Sequence, residues 1–264
     1  RSEVTVKLLC LDPAEMVDSR LKLGRCTALF SATLSPPSYY KTVLGCDSPQ
    51  EVTHSYALPS PFDPQNLCLL ICPQINTRWA AREESLVPIA RLLFAMVSAK
   101  SGNYLAYFPS YQYLQMEAET FSKLYPQVEL LLQSPEMDDS QREQFLRRFD
   151  NPHPDAPLLA FAVLGGIYSE GVDLKGEKLL GSAIIGTGLP KVGAQQEILR
   201  DYYQEKNQMG YDFAYRYPGM NKVLQAAGRV IRSDSDRGVV MLLDDRFAAP
   251  SYRRLFPAHW AQAR

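Results

Sequence analysis

Near the end of the chain runs Gln225-Ala-Ala-Gly228-Arg229-Val-Ile-Arg232, a stretch whose residue types suit phosphate chemistry. Taken as a helix at about 100° per residue, it points Gln225, Arg229 and Arg232 within roughly 60° of one another. Leu224, Ala227 and Ile231 form a second stripe toward the opposite side, so one face is apolar and the other carries two guanidinium groups and an amide. The periodicity predicts a helix over 221–233 with Gly228 inside it, where glycine costs about 1 kcal/mol relative to alanine. Glycine there is easier to understand if a backbone or a phosphate comes close. Two fixed arginines fit a planar, multiply charged oxygen target. The plain alternative is the solvated basic face of a surface helix.

Four other stretches carry chemistry. Phe108-Pro109-Ser110-Tyr111 follows an apolar run, and Ser110 is either a helix cap or a hydroxyl presented to a phosphate beside a helix amino end. Leu164-Gly165-Gly166-Ile-Tyr-Ser169-Glu170-Gly171-Val-Asp173 holds three glycines in seven residues and two carboxylates three apart. Carboxylates repel phosphate, so Glu170 and Asp173 are read as orienting an arginine or accepting a sugar hydroxyl; the alternative is loop charge. Gly186-Thr187-Gly188-Leu189-Pro190-Lys191 is a further glycine-rich strand exit, and Ser31-Ala32-Thr33-Leu34-Ser35-Pro36 is hydroxyl-rich turn material. None of these is a phosphate loop of the G-x-x-x-x-G-K-[ST] type. Gly171 to Lys178 comes nearest and ends Gly-Glu-Lys. Nor does the sequence hold an Asp-Glu-x-His for magnesium. Asp244-Asp245 is followed by Arg246 and reads as an ion-paired turn.

Taken together these strings resemble the XPD/DinG group of superfamily 2 DNA helicases. Gln-Ala-x-Gly-Arg-x-Ile-Arg-Ser with the later Asp-x-Arg-Phe is similar to that group's sixth motif, Ser-Ala-Thr-Leu-Ser-Pro to its third, Phe-Pro-Ser-Tyr to its fourth and Ser-Glu-Gly-x-Asp to its fifth. They occur in the family's order across residues 27–247. The resemblance implies a second RecA-like domain, α/β with a mostly parallel sheet and no phosphate loop of its own. It implies catalytic roles for Arg229, Arg232 and Gln225, a share in ATP binding for Glu170, Gly171, Asp173 and Gly228, and contact with single-stranded DNA by Ser110, Tyr111, Ser169 and Thr187. Ser31 and Thr33 would couple the nucleotide site to the DNA path. The family moves 5′ to 3′ on DNA using ATP with magnesium, held mainly by an amino-terminal RecA-like domain that would be this chain's partner. It often carries an iron–sulfur cluster in that first domain, and no such cysteine set occurs here. Gly-Leu-Pro-Lys departs from the aromatic expected after that proline. ATP hydrolysis needs a phosphate cradle, a magnesium ligand and a water-positioning group. The chain offers none of these three, only arginines that could supply charge, so it reads as half of an active site. The competing reading is a non-catalytic RecA-like module that clamps a nucleic-acid strand or a protein. A regulator with its own nucleotide site is disfavoured by the missing phosphate loop.

The elements that must position these residues alternate. Strands are expected at 4–11, 27–30, 67–71, 104–108, 128–133, 158–164, 179–185 and 239–243, and helices at 14–23, 83–100, 111–124, 141–149, 194–208 and 221–233. Alternation with short connections implies a parallel sheet covered on both faces. Leu86, Ile89, Ala90, Leu93, Phe94 and Val97 form the clearest apolar stripe, which is core. Residues 46–66, rich in Pro, Ser and Asp, read as an extended connector, giving a lead-in over 1–66 and the RecA-like domain over 67–264.

With 264 residues, 46% apolar and 22% charged, the composition is that of a soluble globular protein. A net charge of −1 gives no overall pull toward nucleic acid, so any such site is a local patch. The five cysteines are scattered, and Cys68 and Cys72, on a strand, would lie roughly 13 Å apart. All five read as reduced thiols of a cytosolic protein. The resemblance narrows this to a nucleoid-associated protein in a bacterium or a nuclear one in a eukaryote. The histidines show no zinc spacing. No signal peptide and no apolar run near 18 residues appears, so neither secretion nor a membrane span is expected. The first residue is Arg, and the chain is expected to begin inside a longer protein.

Overall fold

A computed structural model describes residues 6–47, 53–152, 156–168 and 174–263. The chain divides into two compact units, Arg1–Leu58 with Pro190–Asn221, and Pro59–Leu189 with Lys222–Arg264. This differs from the expected division at residue 66, because 190–221 groups with the amino-terminal segment.

In the first unit lie α1 (Ala14–Leu21) and α2 (Pro37–Val43). The second unit begins with β1 (Leu67–Ile71), α3 (Arg82–Ala99), β2 (Asn103–Phe108), α4 (Tyr111–Leu124), β3 (Glu129–Leu132), α5 (Asp139–Arg147), β4 (Leu158–Val163) and β5 (Gly181–Ile185). The chain returns to the first unit for α6 (Ala194–Asn207) and a π-helical turn, Asp212–Arg216. Helix α7 (Tyr217–Ala227) then carries it back to β6 (Gly238–Leu243) and α8 (Pro250–Arg253).

The second unit is built on one six-stranded, all-parallel sheet in the order β1-β6-β5-β2-β4-β3. Strands β2 and β5 are buried at every residue and are apolar almost throughout, as strands covered on both faces must be. On one face Tyr104, Ala106 and Phe108 of β2 pack with Ile89 and Leu93 of α3 and with Tyr113, Ala118 and Phe121 of α4. The expected stripe of α3 forms, with Ile89, Ala90, Leu93 and Val97 buried and Leu86 and Phe94 packed against that core. Met96 joins it and was not anticipated.

The first unit is held by an aromatic cluster. Tyr39 of α2 lies 5.0 Å from Phe213 and 5.2 Å from Tyr217, centroid to centroid, and Phe213 stacks on Tyr203 at 4.3 Å. Asn221 donates to the Tyr40 hydroxyl at 2.7 Å, and Asp12 accepts from Tyr202 and Lys206. These contacts explain why 190–221 groups with residues before 58.

The expected strands at 4–11 and 27–30 do not form. Residues 1–5 lie outside the described residues; 6–11 and 27–30 lack ladder partners, and Leu8 and Phe30 are exposed. A strand exists only as a paired ladder, and no described neighbour supplies one. All five cysteines are free, Cys72 buried and Cys68 exposed. Among the described residues no His, Cys, Asp and Glu group could hold a metal ion, and no helix is long and apolar enough to cross a membrane.

Glu117 of α4 is fully buried, and neither carboxyl oxygen has a hydrogen-bond partner among the described residues. Burial pushes its pKa from the ordinary 4.5 up to about 9. Between those values the folded chain holds a proton that the unfolded chain releases, so stability falls as pH rises. Glu117→Gln, of the same size and unable to ionise, should raise stability by roughly 1–4 kcal/mol at pH 8 and leave it nearly unchanged at pH 4. Thermal unfolding of both proteins across that range measures it; parallel pH curves would refute the buried-acid reading.

Candidate nucleotide and nucleic-acid site

The arginine stretch is not one continuous helix. Helix α7 ends at Ala227 rather than at residue 233. Gly228 still donates to Leu224 O at 2.9 Å, but Arg229 and Val230 reach back only three residues, to Ala226 O and Ala227 O, each at 3.3 Å. Beyond that the backbone is claimed by a carboxylate. Asp236 accepts from Arg232 N at 2.7 Å, from Ser233 N at 2.8 Å and from Ser233 Oγ at 2.6 Å. It also accepts from Gly176 N at 3.2 Å. These amides therefore leave the i→i−4 ladder. A Cβ on Gly228 would meet only the carbonyls of its own last turn, Leu224 O at 3.2 Å, and the glycine sits exposed at a helix end, not in a helix interior.

Arg229 and Arg232 therefore lie past the end of the helix that carries Gln225. Gln225 and Arg229 are half-buried and Arg232 is exposed. Val230, at 1% exposure, is the buried apolar anchor of the turn, while Ile231 is only half-buried. Asp236 itself is 4% exposed. Burial alone would raise its pKa, but the Ser233 hydroxyl and the three backbone N–H groups more than offset this and hold it below the usual carboxylate value. The clamp sits at the amino edge of the sheet, since Gly176 leads into β5 and Val239 of β6 donates to Leu180 O.

The other candidates gather at the carboxyl edge, where all strands of a parallel sheet exit. Ser110 caps α4, its hydroxyl accepting from Tyr113 N at 3.3 Å. Tyr111 accepts from Gln133 Nε2 at 3.0 Å, and Gln133 Oε1 in turn accepts from Val163 N at 2.8 Å, fixing Tyr111 to β4. Tyr107 donates to Tyr168 O at 3.0 Å and so anchors the entrance of the loop after β4. Burial drives the Tyr107 pKa up, while the nearby charge of Arg229 pulls it down. Ser169, Glu170, Gly171 and Asp173 lie outside the described residues. Thr187 is buried, at 1% exposure, and its hydroxyl accepts from the Tyr252 hydroxyl at 3.5 Å. Gly186 before it has φ 81°, a left-handed conformation that favours glycine, and a Cβ there would meet Thr77 Oγ1 at 3.0 Å.

Asp244 is fully buried and paired with Arg246 at 2.7 Å, while Thr77 donates to its other oxygen. Arg78 pairs with Asp245 at 2.8 Å. The expected ion-paired turn is thus present, and it ties the loop after β1 to the loop after β6. In the first unit Ser31 Oγ accepts from Thr33 N at 3.2 Å, a local hydroxyl turn that leaves Ser31 exposed. The sequence reading missed Asp236 as a positioning group. A carboxylate four residues past Arg232 was the available signal.

The fold and the two sheet edges define a RecA-like helicase domain without a phosphate loop of its own. A family model described as "Helicase C-terminal domain" matches residues 93–263, and the chain belongs to that family. The chain is 24% identical over 277 residues to "ATP-dependent DNA helicase chl1" of Schizosaccharomyces pombe, covering 96% of this chain and 32% of that protein. It is 25% identical over 296 residues to "ATP-dependent DNA helicase DDX11" of Mus musculus, covering 98% and 32%. The chain therefore spans about a third of the length of the curated relatives it matches. A solved structure titled "XPD_Helicase" superposes with a TM-score of 0.66 at 20% identity, over 89% of this chain and 41% of that one, and supports the same fold.

Asp236 satisfies three backbone amides and a hydroxyl from a buried position, so Asp236→Ala should cost about 2 kcal/mol or more. In a chain of this size that lowers the melting temperature by roughly 4–8 °C. Differential scanning calorimetry measures it; a change under 1 °C would show that the loop holds itself.

Proposed function

We propose that this chain is the second motor domain of an ATP-dependent DNA helicase that tracks 5′ to 3′ on single-stranded DNA. Arg229 and Arg232 supply positive charge to the transferring phosphoryl group, with Gln225 beside them. Gly228 and the acidic loop at 169–173 complete this domain's share of the ATP site. Ser110, Tyr111 and Ser169 contribute to the DNA track, and Ser31 and Thr33 couple the two. ATP with magnesium is held mainly by an amino-terminal RecA-like domain, the partner that exposed Leu8 and Phe30 would meet as sheet neighbours.

The observation that carries this reading is the clamp of Asp236 on the backbone of Arg232 and Ser233. A helix end followed by a fixed, arginine-bearing loop is a means of presenting a guanidinium group at a set position. A surface helix with a solvated basic face has no need of a buried carboxylate. The geometry of the carboxyl edge supports the DNA track: a capped, 14-residue helix directs its free amide groups outward, which suits a backbone phosphate and reads no base.

Arg232→Ala should leave the melting temperature of this chain within about 2 °C, because the side chain is exposed. In the full-length helicase, Arg229→Ala and Arg232→Ala should each lower the DNA-stimulated turnover number at least about a hundredfold, the scale of an arginine finger. Lysine at either position should rescue poorly, since a point charge does not reproduce the planar fork. Near-normal turnover in both alanine variants would leave the non-catalytic module as the better reading.

This chain alone should bind single-stranded DNA weakly, without base-sequence preference, and with a shallow dependence on salt, because half a cleft makes few phosphate contacts. Fluorescence anisotropy at two salt concentrations tests it, and a preference for duplex over single strand would count against the track.

A further inference from the structure

Trp79 is the odd residue of the carboxyl edge. It lies in the loop between β1 and α3 and is 70% exposed, whereas the other tryptophan, Trp260, is 3% exposed. It is nonetheless held firmly. The Arg82 guanidinium lies 4.8 Å from the Trp79 ring and 4.9 Å from the Tyr113 ring, a cation between two aromatic faces. Tyr113 is buried, its hydroxyl bonded to Ser85 of α3, and Ser85 also bonds to Arg82 O at 2.6 Å. The stack therefore rests on the packed junction of α3 and α4. One ring face of Trp79 is covered by the cation and its exposure leaves the other open.

The neighbourhood indicates what the open ring would meet. Tyr113 is the residue whose backbone amide bonds to the Ser110 cap, so the stack is built onto the first turn of α4. The loop carrying Trp79 is pinned to the same edge, with Asp245 N donating to Ile75 O at 2.8 Å and Arg78 paired with Asp245. Glu83 and Glu84 occupy the first turn of α3, which makes that corner a poor phosphate site. A phosphate is better placed on the amino end of α4. What remains for Trp79 is an uncharged, flat partner.

We infer that Trp79, backed by Arg82 and Tyr113, is a stacking platform for one nucleobase of a single strand whose backbone passes the amino end of α4. This rests on the DNA-track reading above and adds a base contact that is blind to sequence, since every base has a π-face. It also provides a fixed grip between phosphate contacts, which a strand held by hydroxyls and amides alone lacks.

Because Trp260 is buried, a ligand-dependent change in tryptophan emission of this chain reports on Trp79. Oligo(dT) should quench that emission, and an abasic oligodeoxynucleotide of equal length and charge should not. Trp79→Ala should weaken oligo(dT) binding by roughly 5- to 150-fold in fluorescence anisotropy, the scale of one stacked base. Trp79→Phe should recover part of the affinity, and the abasic strand should bind all three proteins alike. Circular dichroism melts confirm that the variants fold. If oligo(dT) and the abasic strand bind equally and Trp79→Ala changes nothing, the platform is refuted while the track stands. If neither strand binds the parent chain, the track reading fails and the platform fails with it.

Discussion

Six strands running the same way give the second unit two chemically different edges, and its candidate sites divide between them. Parallel pairing forces every strand exit onto one side, so the loops after β1, β2, β4, β5 and β6 converge without any loop having to be long. The ladder continues past the strands: Leu164 N bonds to Phe108 O and Gly186 N to Leu243 O. Exits are therefore fixed relative to one another before any side chain contributes. Entrances gather at the other edge, where the chain returning from α7 is tied to Gly176 and Leu180. A sheet of mixed direction would scatter these loops over both edges.

Much of this was legible in the sequence because burial on both faces leaves a simple mark. Uninterrupted runs such as Leu158 to Val163, separated by helical periodicity, specify parallel strands, and all six of the second unit were found within a few residues. Two of the four motifs lie where alternation puts them, Phe-Pro-Ser-Tyr at the exit of β2 and the arginine stretch on the last crossover to β6. The failures have a common cause. Residues 6–11 and 27–30 have strand-like composition, but strand formation depends on a neighbour that composition cannot supply. Helix periodicity likewise continued through Arg232 on paper. A helix, however, continues only if its amides keep their i−4 carbonyls, and Asp236, distant from the periodic stripe, offered stronger acceptors. The grouping of 190–221 with the amino-terminal segment rests on ring contacts between Tyr39, Phe213 and Tyr217, which no local pattern announces.

Two buried carboxyl groups in the second unit show how surroundings divide one chemistry into two behaviours. Asp236 meets four donors and stays charged, so its stabilising contribution is present at neutral pH and lost as pH falls through its depressed pKa. Glu117 meets none and is held neutral, so its contribution has the opposite pH sign. The first organises a segment of backbone. The second is paid for by the packing of α4 on the sheet.

Helix α7 is the piece that joins the two edges. At its second-unit start, Lys222 packs its aliphatic stem where a Cβ of Gly165 would stand, 2.8 Å from Lys222 Cδ, beside the loop after β4. At its end begins the turn that Asp236 clamps. From Lys222 to Ala227 is about 9 Å of helix, too short to bend appreciably. Beside it, burial raises the Tyr107 pKa and the charge of Arg229 lowers it, while the Tyr107 hydroxyl donates to Tyr168 O at the mouth of the same loop. One short helix thus sets the spacing between the arginine segment and the loop after β4. Gly165, with φ 77°, takes a left-handed conformation that favours glycine, and the missing Cβ is what lets the Lys222 stem pack against the start of this loop.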